Sequence, residues 1–151
     1  MNIVDTAHAL PAGPTRSGWR TLGVPLLVGG AAAGSIALLH VRDPHVQGSY
    51  GICPFYALTG LWCPGCGGLR AVHNLTDGRI LDAVHSNVLV LPLLVGFAVV
   101  WGRWALRRWR GLPPNPFPFA MSWGSLWIIV AVLTAFTVLR NTPWGTWLAP
   151  V

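Results

Sequence analysis

The sequence predicts an all-α integral membrane protein: three transmembrane helices, with a Cys/Gly/Pro-rich segment and a short helix between the first two. Three observations carry that prediction. The chain of 151 residues is 53% hydrophobic and only 9% charged, against about 25% charged in soluble domains. Three apolar runs reach the roughly 20 residues that a helix needs to cross a bilayer. Nine tryptophans suit a chain that meets lipid headgroups at both faces, where Trp concentrates.

The spans fall at about 21–41, 83–101 and 120–139. Thr21 to Val41 carries no formal charge, and "AMSWGSLWIIVAVLTAFTVL" is the third run. In lipid every backbone N–H and C=O must be paired within the segment, so each run is expected to be helical. Pro25 lies early enough in its helix to be tolerated, whereas Pro92 reads as interior to the second and should kink it. The apolar core of the first run is long for a cleaved signal peptide, and no small-residue cleavage site follows closely. Residues 1–18 read as a disordered leader and 19–151 as one membrane domain. "GLPPNPFPF" (Gly111 to Phe119) reads as a stiff Pro-rich turn between spans rather than a polyproline ligand. Gly30 and Gly34 form a GxxxG, read first as close packing within the bundle and second as a seam with another copy.

All ten basic residues are arginine, and the net charge is +6. The arginines flank apolar runs instead of forming a stripe on a polar domain, which argues against nucleic acid as a partner. They do orient the chain. Arg103, Arg107, Arg108 and Arg110 follow the second span without an acid among them, so that link is expected in the cytoplasm. Arg16 and Arg20 then lie inside with the N-terminus. The link between the first two spans and the C-terminus, from Arg140, lie outside.

That first link has about 40 residues, a length that is usually functional or ordered by something. It holds all three cysteines, in the stretch "CPFYALTGLWCPGCGGLRAVHNLTDG" within residues 50–79. The tight part is Cys63 to Gly67. Pro64 fixes one φ, Gly65 and Gly67 permit positive φ, and the turn can aim N–H groups at thiolates. Three readings stay open. Cys53, Cys63 and Cys66 with His73 or His85 would make a Cys3His site, zinc being the natural ion. Cys63 and Cys66 before a short helix would make a redox pair with a lowered thiol pKa. A disulfide from Cys53 to Cys63 or Cys66 would be a structural staple.

Arg70, His73 and Asp77 share one face of the expected helix. Arg70 either binds an anion there or reaches water and pairs with Asp77. His85 and Asn87 open the second span. His40 reads as an interfacial residue that could ligate, while His8 and His45 carry no signal. No acid pair, nucleophile–base set or phosphate loop supports hydrolase or transferase chemistry. Three helices leave little room for a transport pathway.

The stretch from Cys53 to Asn87 resembles the bacterial family called Domain of Unknown Function 2752. The resemblance lies in Cys53–Pro54, Thr59–Gly60, Cys63 through Gly67, Arg70, Gly78 and Asn87. Arg140–Asn141 after the last span is similar to actinobacterial members. The resemblance implies a small multi-pass protein of the bacterial inner membrane without an assigned activity, and it raises the interest of Arg70 and Asn87. The expected role is a structural or accessory subunit with a Cys-rich knuckle at the membrane surface, its partners the bilayer and another membrane protein or a second copy. Metal binding and thiol–disulfide exchange are the alternatives.

Overall fold

A computed structural model describes residues 18–46, 48–112 and 123–149. The expected leader up to residue 17, most of the Pro-rich turn and the first residues of the third span lie outside that set. Among the described residues the chain is all helical. Its helices are α1 (Gly23–Val41), α2 (Pro54–Thr59), α3 (Gly68–Thr76), α4 (Ile80–Ser86), α5 (Val90–Trp109) and α6 (Trp123–Arg140), with short 3-10 turns at Trp19–Thr21 and Pro143–Leu148.

Three of these, α1, α5 and α6, are long and apolar enough to cross a membrane. Their 19, 20 and 18 residues span about 27–30 Å at about 1.5 Å per residue, the thickness of a hydrocarbon core. Little of their surface is covered within the chain. Leu27, Leu93, Ile128 and Trp127 are among many large apolar side chains left exposed, as lipid-facing positions require.

The second span starts later than composition suggests. Residues 80–86 form a separate helix, and Asn87 breaks it with an extended backbone (φ −167°, ψ 104°). The long helix begins at Val90. Pro92 therefore sits in its first turn, where its missing N–H has no intrahelical partner to lose, and no interior kink follows from it. Arg103, Arg107 and Arg108 become part of the last turns of α5, beside Trp101, Trp104 and Trp109. That clustering of Trp and Arg is an interfacial belt.

Around this end the first and second spans are tied. The Trp101 indole donates to the Pro25 carbonyl at 2.9 Å, which satisfies the one polar atom of a large apolar ring. Gly29 makes room for that ring: a Cβ there would lie 2.6 Å from Trp101 Cζ2. Thr21 Oγ1 donates to the Arg108 carbonyl at 2.7 Å, and Trp19 meets Trp109 edge to face at 4.9 Å. Gly30 and Gly34, by contrast, face open space. The close approach within the chain uses Gly29, not the GxxxG pair.

At the opposite end sits a cap built from α2, α3 and α4. Its centre is Ala71, Ala83 and Val90, with Val72, Leu75, Leu91 and Leu94 packed against them. Small residues on α3 and α4 let the two short helices approach closely, and the start of α5 seals them. Leu39 near the end of α1 and Phe136 and Arg140 near the end of α6 are buried at this end too. The cap and the segment after α6 thus share one end of the spans, and the arginine-rich end of α5 lies with the start of α1 at the other.

Candidate functional site: a three-thiol knuckle on a buried arginine

The knuckle begins from local rules. Pro54 opens α2 with Cys53 as its N-cap, and Gly60 closes it at φ 69°. Tyr56 stacks on Trp62 at 4.2 Å between ring centres, which turns the chain back toward Cys53. The Cys66 N–H then donates to the Cys63 carbonyl at 3.1 Å, and the Gly68 N–H to the Gly65 carbonyl at 3.0 Å. Gly67 takes φ 79° to enter α3, a region that costs other residues about 1–2 kcal/mol.

This folding gathers all three thiols. Cys53 Sγ lies 3.5 Å from Cys63 Sγ, Cys63 Sγ lies 2.8 Å from Cys66 Sγ, and all three are within 4.8 Å of one another. None is in a disulfide, and Cys66 is buried. Their chemistry differs. Cys53 is lowered to about 7, first by the Tyr56 N–H of the helix it caps and then by the neighbouring thiols. Burial pushes the Cys66 thiol up to about 12, with its two sulfur neighbours adding to the effect.

The carbonyls of the knuckle point the other way, into a polar clamp. Asn87 donates to the Pro64 carbonyl at 2.9 Å and to the Cys66 carbonyl at 3.1 Å. Its own carbonyl oxygen accepts the Leu89 N–H at 3.0 Å, so one side chain both ends α4 and holds the knuckle. Arg140, only 1% exposed, donates to the Cys63 carbonyl at 2.7 Å and the Cys66 carbonyl at 3.2 Å. Asn141 bonds the Trp62 N–H and carbonyl at 2.8 and 2.9 Å. The last two turns of chemistry on α6 therefore grip the knuckle across about 75 residues of sequence, a distance fixed by the Arg140 and Cys66 separation of 74 positions.

Arg140 pairs with no carboxylate among the described residues; its Nε is buried without a hydrogen-bond partner, and its guanidinium lies over Phe136 at 4.9 Å. A buried cation without an acid is costly unless negative charge lies near. The neighbours able to carry that charge are the thiols, and Cys66 and Cys63 are the groups that act on Arg140 electrostatically.

The other residues singled out in the sequence fall elsewhere. Among the described residues no histidine joins the three thiols. His73 is buried on α3, but it faces Asp43 and Asp77. His85 is exposed on α4, and Arg70 is half-buried on α3; Arg70 makes no hydrogen bond or ion pair among the described residues. Asp77 pairs with Arg79 at 3.1 Å, not with Arg70. Sequence reasoning missed Arg140 and Asn141 as parts of the site. The signal was there: a charge closing an otherwise uncharged apolar run, read only as a marker of orientation.

Three apolar helices capped by a thiol knuckle define a small multi-pass membrane protein. Residues 53–101 match the model of the family described as "Protein of unknown function (DUF2752)", the family that the motif resembles. The match starts at Cys53 and takes in the knuckle, Arg70 and Asn87, and it ends before Arg140. No curated protein and no solved structure matches the chain.

Proposed function

We propose that the cysteine cap is a thiolate metal centre for a soft or borderline divalent cation such as zinc, and that it serves to lock the cap onto α6 within a membrane assembly. The observation that carries this reading is the pairing of three convergent sulfurs with the buried, acid-free Arg140. Three thiolates and a divalent cation sum to one negative charge, which the guanidinium balances. Tetrahedral zinc with bonds of about 2.3 Å sets sulfurs about 3.8 Å apart; the sulfur separations of 2.8 and 3.5 Å, all under 4.8 Å, bracket that spacing. Coordination deprotonates a thiol outright, so the high Cys66 value is no barrier once the ion is bound. Three sulfurs leave a fourth position to water or to a partner group.

The reading places the cap and the C-terminus outside the bacterial inner membrane, with the arginine-rich end of α5 and the N-terminus in the cytoplasm. It takes residues 19–151 as one membrane domain behind a leader of 1–18. Support for a partner comes from Gly30 and Gly34, whose small surfaces no other part of the chain covers; a second copy or a helix of another protein fits there.

One observation favours thiol exchange as a second reading. Cys53, lowered to about 7, lies 3.5 Å from Cys63. If Cys63 and Cys66 were joined, the Cys53 thiolate would attack Cys63 Sγ, form the Cys53–Cys63 bond and release Cys66, which takes up a proton.

Metal analysis and thiol counting on one sample, purified in mild detergent without chelator or reductant, separate the two. Near one metal per chain, with three free thiols after chelation, supports the metal centre. One free thiol and no metal sinks it and leaves the exchange reading.

A further inference from the structure

A second group of ligating side chains lies on the other flank of α3, and the thiol site does not use it. Asp43, His45 and His73 offer ligand atoms within 4.8 Å of one another, and Asp77 and His40 adjoin them. The hydrogen bonds fix the protonation of this group. His73 Nδ1 lies 2.8 Å from the Leu39 carbonyl; a carbonyl only accepts, so Nδ1 carries the proton and donates. That leaves the His73 Nε2 lone pair pointing away, and it faces Asp43 Oδ1 at 3.6 Å and Asp77 Oδ2 at 3.5 Å. Three electron-pair donors converge, and the His73 side chain is nine-tenths buried.

Something positive belongs between them. A proton on Nε2 would be the simplest cation, but a charge-assisted N–H···O bond closes to about 2.7–2.9 Å. Both observed separations are too long for such a bond. They match a shared metal instead: two ligand atoms at about 2.1 Å from a tetrahedral ion are about 3.4 Å apart.

The surrounding bonds have the form of a metal site's outer shell, where each ligand is oriented by a partner behind it. The Leu39 carbonyl sets the His73 ring. Asp43 Oδ1 accepts from the His45 backbone N–H at 2.8 Å and from His45 Nδ1 at 2.7 Å. Thr76 Oγ1 already donates to the His73 carbonyl, so His40 Nδ1 is the donor to Thr76 Oγ1 at 3.0 Å and to Asp77 Oδ1 at 3.2 Å. Arg79 holds Asp77 Oδ2 at 3.1 Å. Asp43 is 46% exposed, and His45 borders a cleft of about 140 Å³ lined also by Asn74, Arg79, Asp82 and Ser86, which gives an ion a way in.

We propose that His73 Nε2, Asp43 and Asp77 form a second metal site, for a divalent cation that prefers oxygen and nitrogen ligands, with His45, His40 and the Leu39 carbonyl positioning them. The site joins the end of α1 to the end of α3. It is independent of the thiol centre in ligands and in metal class.

Mn2+ is the probe, because it favours carboxylate and imidazole over thiolate. The full chain, reduced and in detergent, is titrated with Mn2+, and the free ion is followed by its paramagnetic resonance signal. The expected result is one Mn2+ bound per chain, at least tenfold weaker in Asp43→Asn and in Asp77→Asn, and unchanged in Cys66→Ser. Circular dichroism of the two Asp variants checks that they fold. Absence of binding up to millimolar Mn2+, or binding unaffected in both Asp variants, overturns the proposal. Binding lost in Cys66→Ser but kept in the Asp variants assigns the ion to the thiols and overturns it as well.

Discussion

Asn87→Ala is the sharpest probe of the clamp that holds the knuckle. The side chain makes three neutral hydrogen bonds: to the Pro64 carbonyl, to the Cys66 carbonyl, and from the Leu89 N–H. Asn87 is 3% exposed, so water does not replace these bonds without opening the cap. Each is worth about 1 kcal/mol, which sets the loss at about 3 kcal/mol. The Cys66 carbonyl keeps Arg140 as a partner, whereas the Pro64 carbonyl keeps none, so the figure does not fall much below this. At about 1.4 kcal/mol per factor of ten, the opening equilibrium of the knuckle rises about a hundredfold. The assay is the alkylation rate of buried Cys66 in reduced, chelated protein, read by mass spectrometry of the Cys66 peptide, because reaction at that thiol requires local opening. Leu81→Ala, at an exposed position, serves as the control. A rate within threefold of the parent and of Leu81→Ala would show that Asn87 does not hold the knuckle, and the reasoning from the clamp would fail.

Other consequences are equally specific. Arg140→Lys should not rescue the site: an ammonium cannot span the Cys63 and Cys66 carbonyls with a planar fork, so zinc affinity of the cap should fall at least tenfold, measured by chelator competition. Alkylation of Cys53 should rise with pH through a midpoint of about 7, as its thiolate forms, while Cys66, pushed up to about 12, stays unreactive over the same range; parallel profiles for the two thiols would contradict their different environments. Gly145→Ala should lower the melting temperature in detergent, because a Cβ there collides with the Leu139 backbone, while Gly30→Ala, facing open space, should leave the chain's own fold unchanged. Trp101→Phe should cost about 1 kcal/mol through the lost bond to Pro25, read as a shift in unfolding midpoint.

The fold was legible where composition alone decides it. Long uncharged runs have one solution in lipid, so α1, α5 and α6 follow from hydropathy. The start of α5 was not legible, because Ala83, Val84 and Val88 are as apolar as the span itself. What separates them is the Asn87 side chain, which bonds the knuckle 21 positions back at Cys66 and breaks the helix. The meeting of the three thiols was readable from Pro and Gly placement around Cys63 and Cys66. The placement of His73 was not: its spacing from the cysteines suits a ligand, but α3 turns it toward the end of α1, where the Leu39 carbonyl takes its Nδ1 proton. Such long-range partners leave no periodic trace. Arg140 marks the same limit, since a charge ending an apolar run looks identical whether it reaches water or a buried carbonyl.

The central claim is that three thiolates and Arg140 form one metal centre. The most direct test is X-ray absorption at the zinc edge on protein loaded with one equivalent of zinc, compared with Arg140→Lys. The account predicts three sulfur neighbours at about 2.3 Å, and a loss of bound zinc in the variant. Zinc surrounded by nitrogen and oxygen alone, or a chain that takes up none with its thiols reduced, would contradict it.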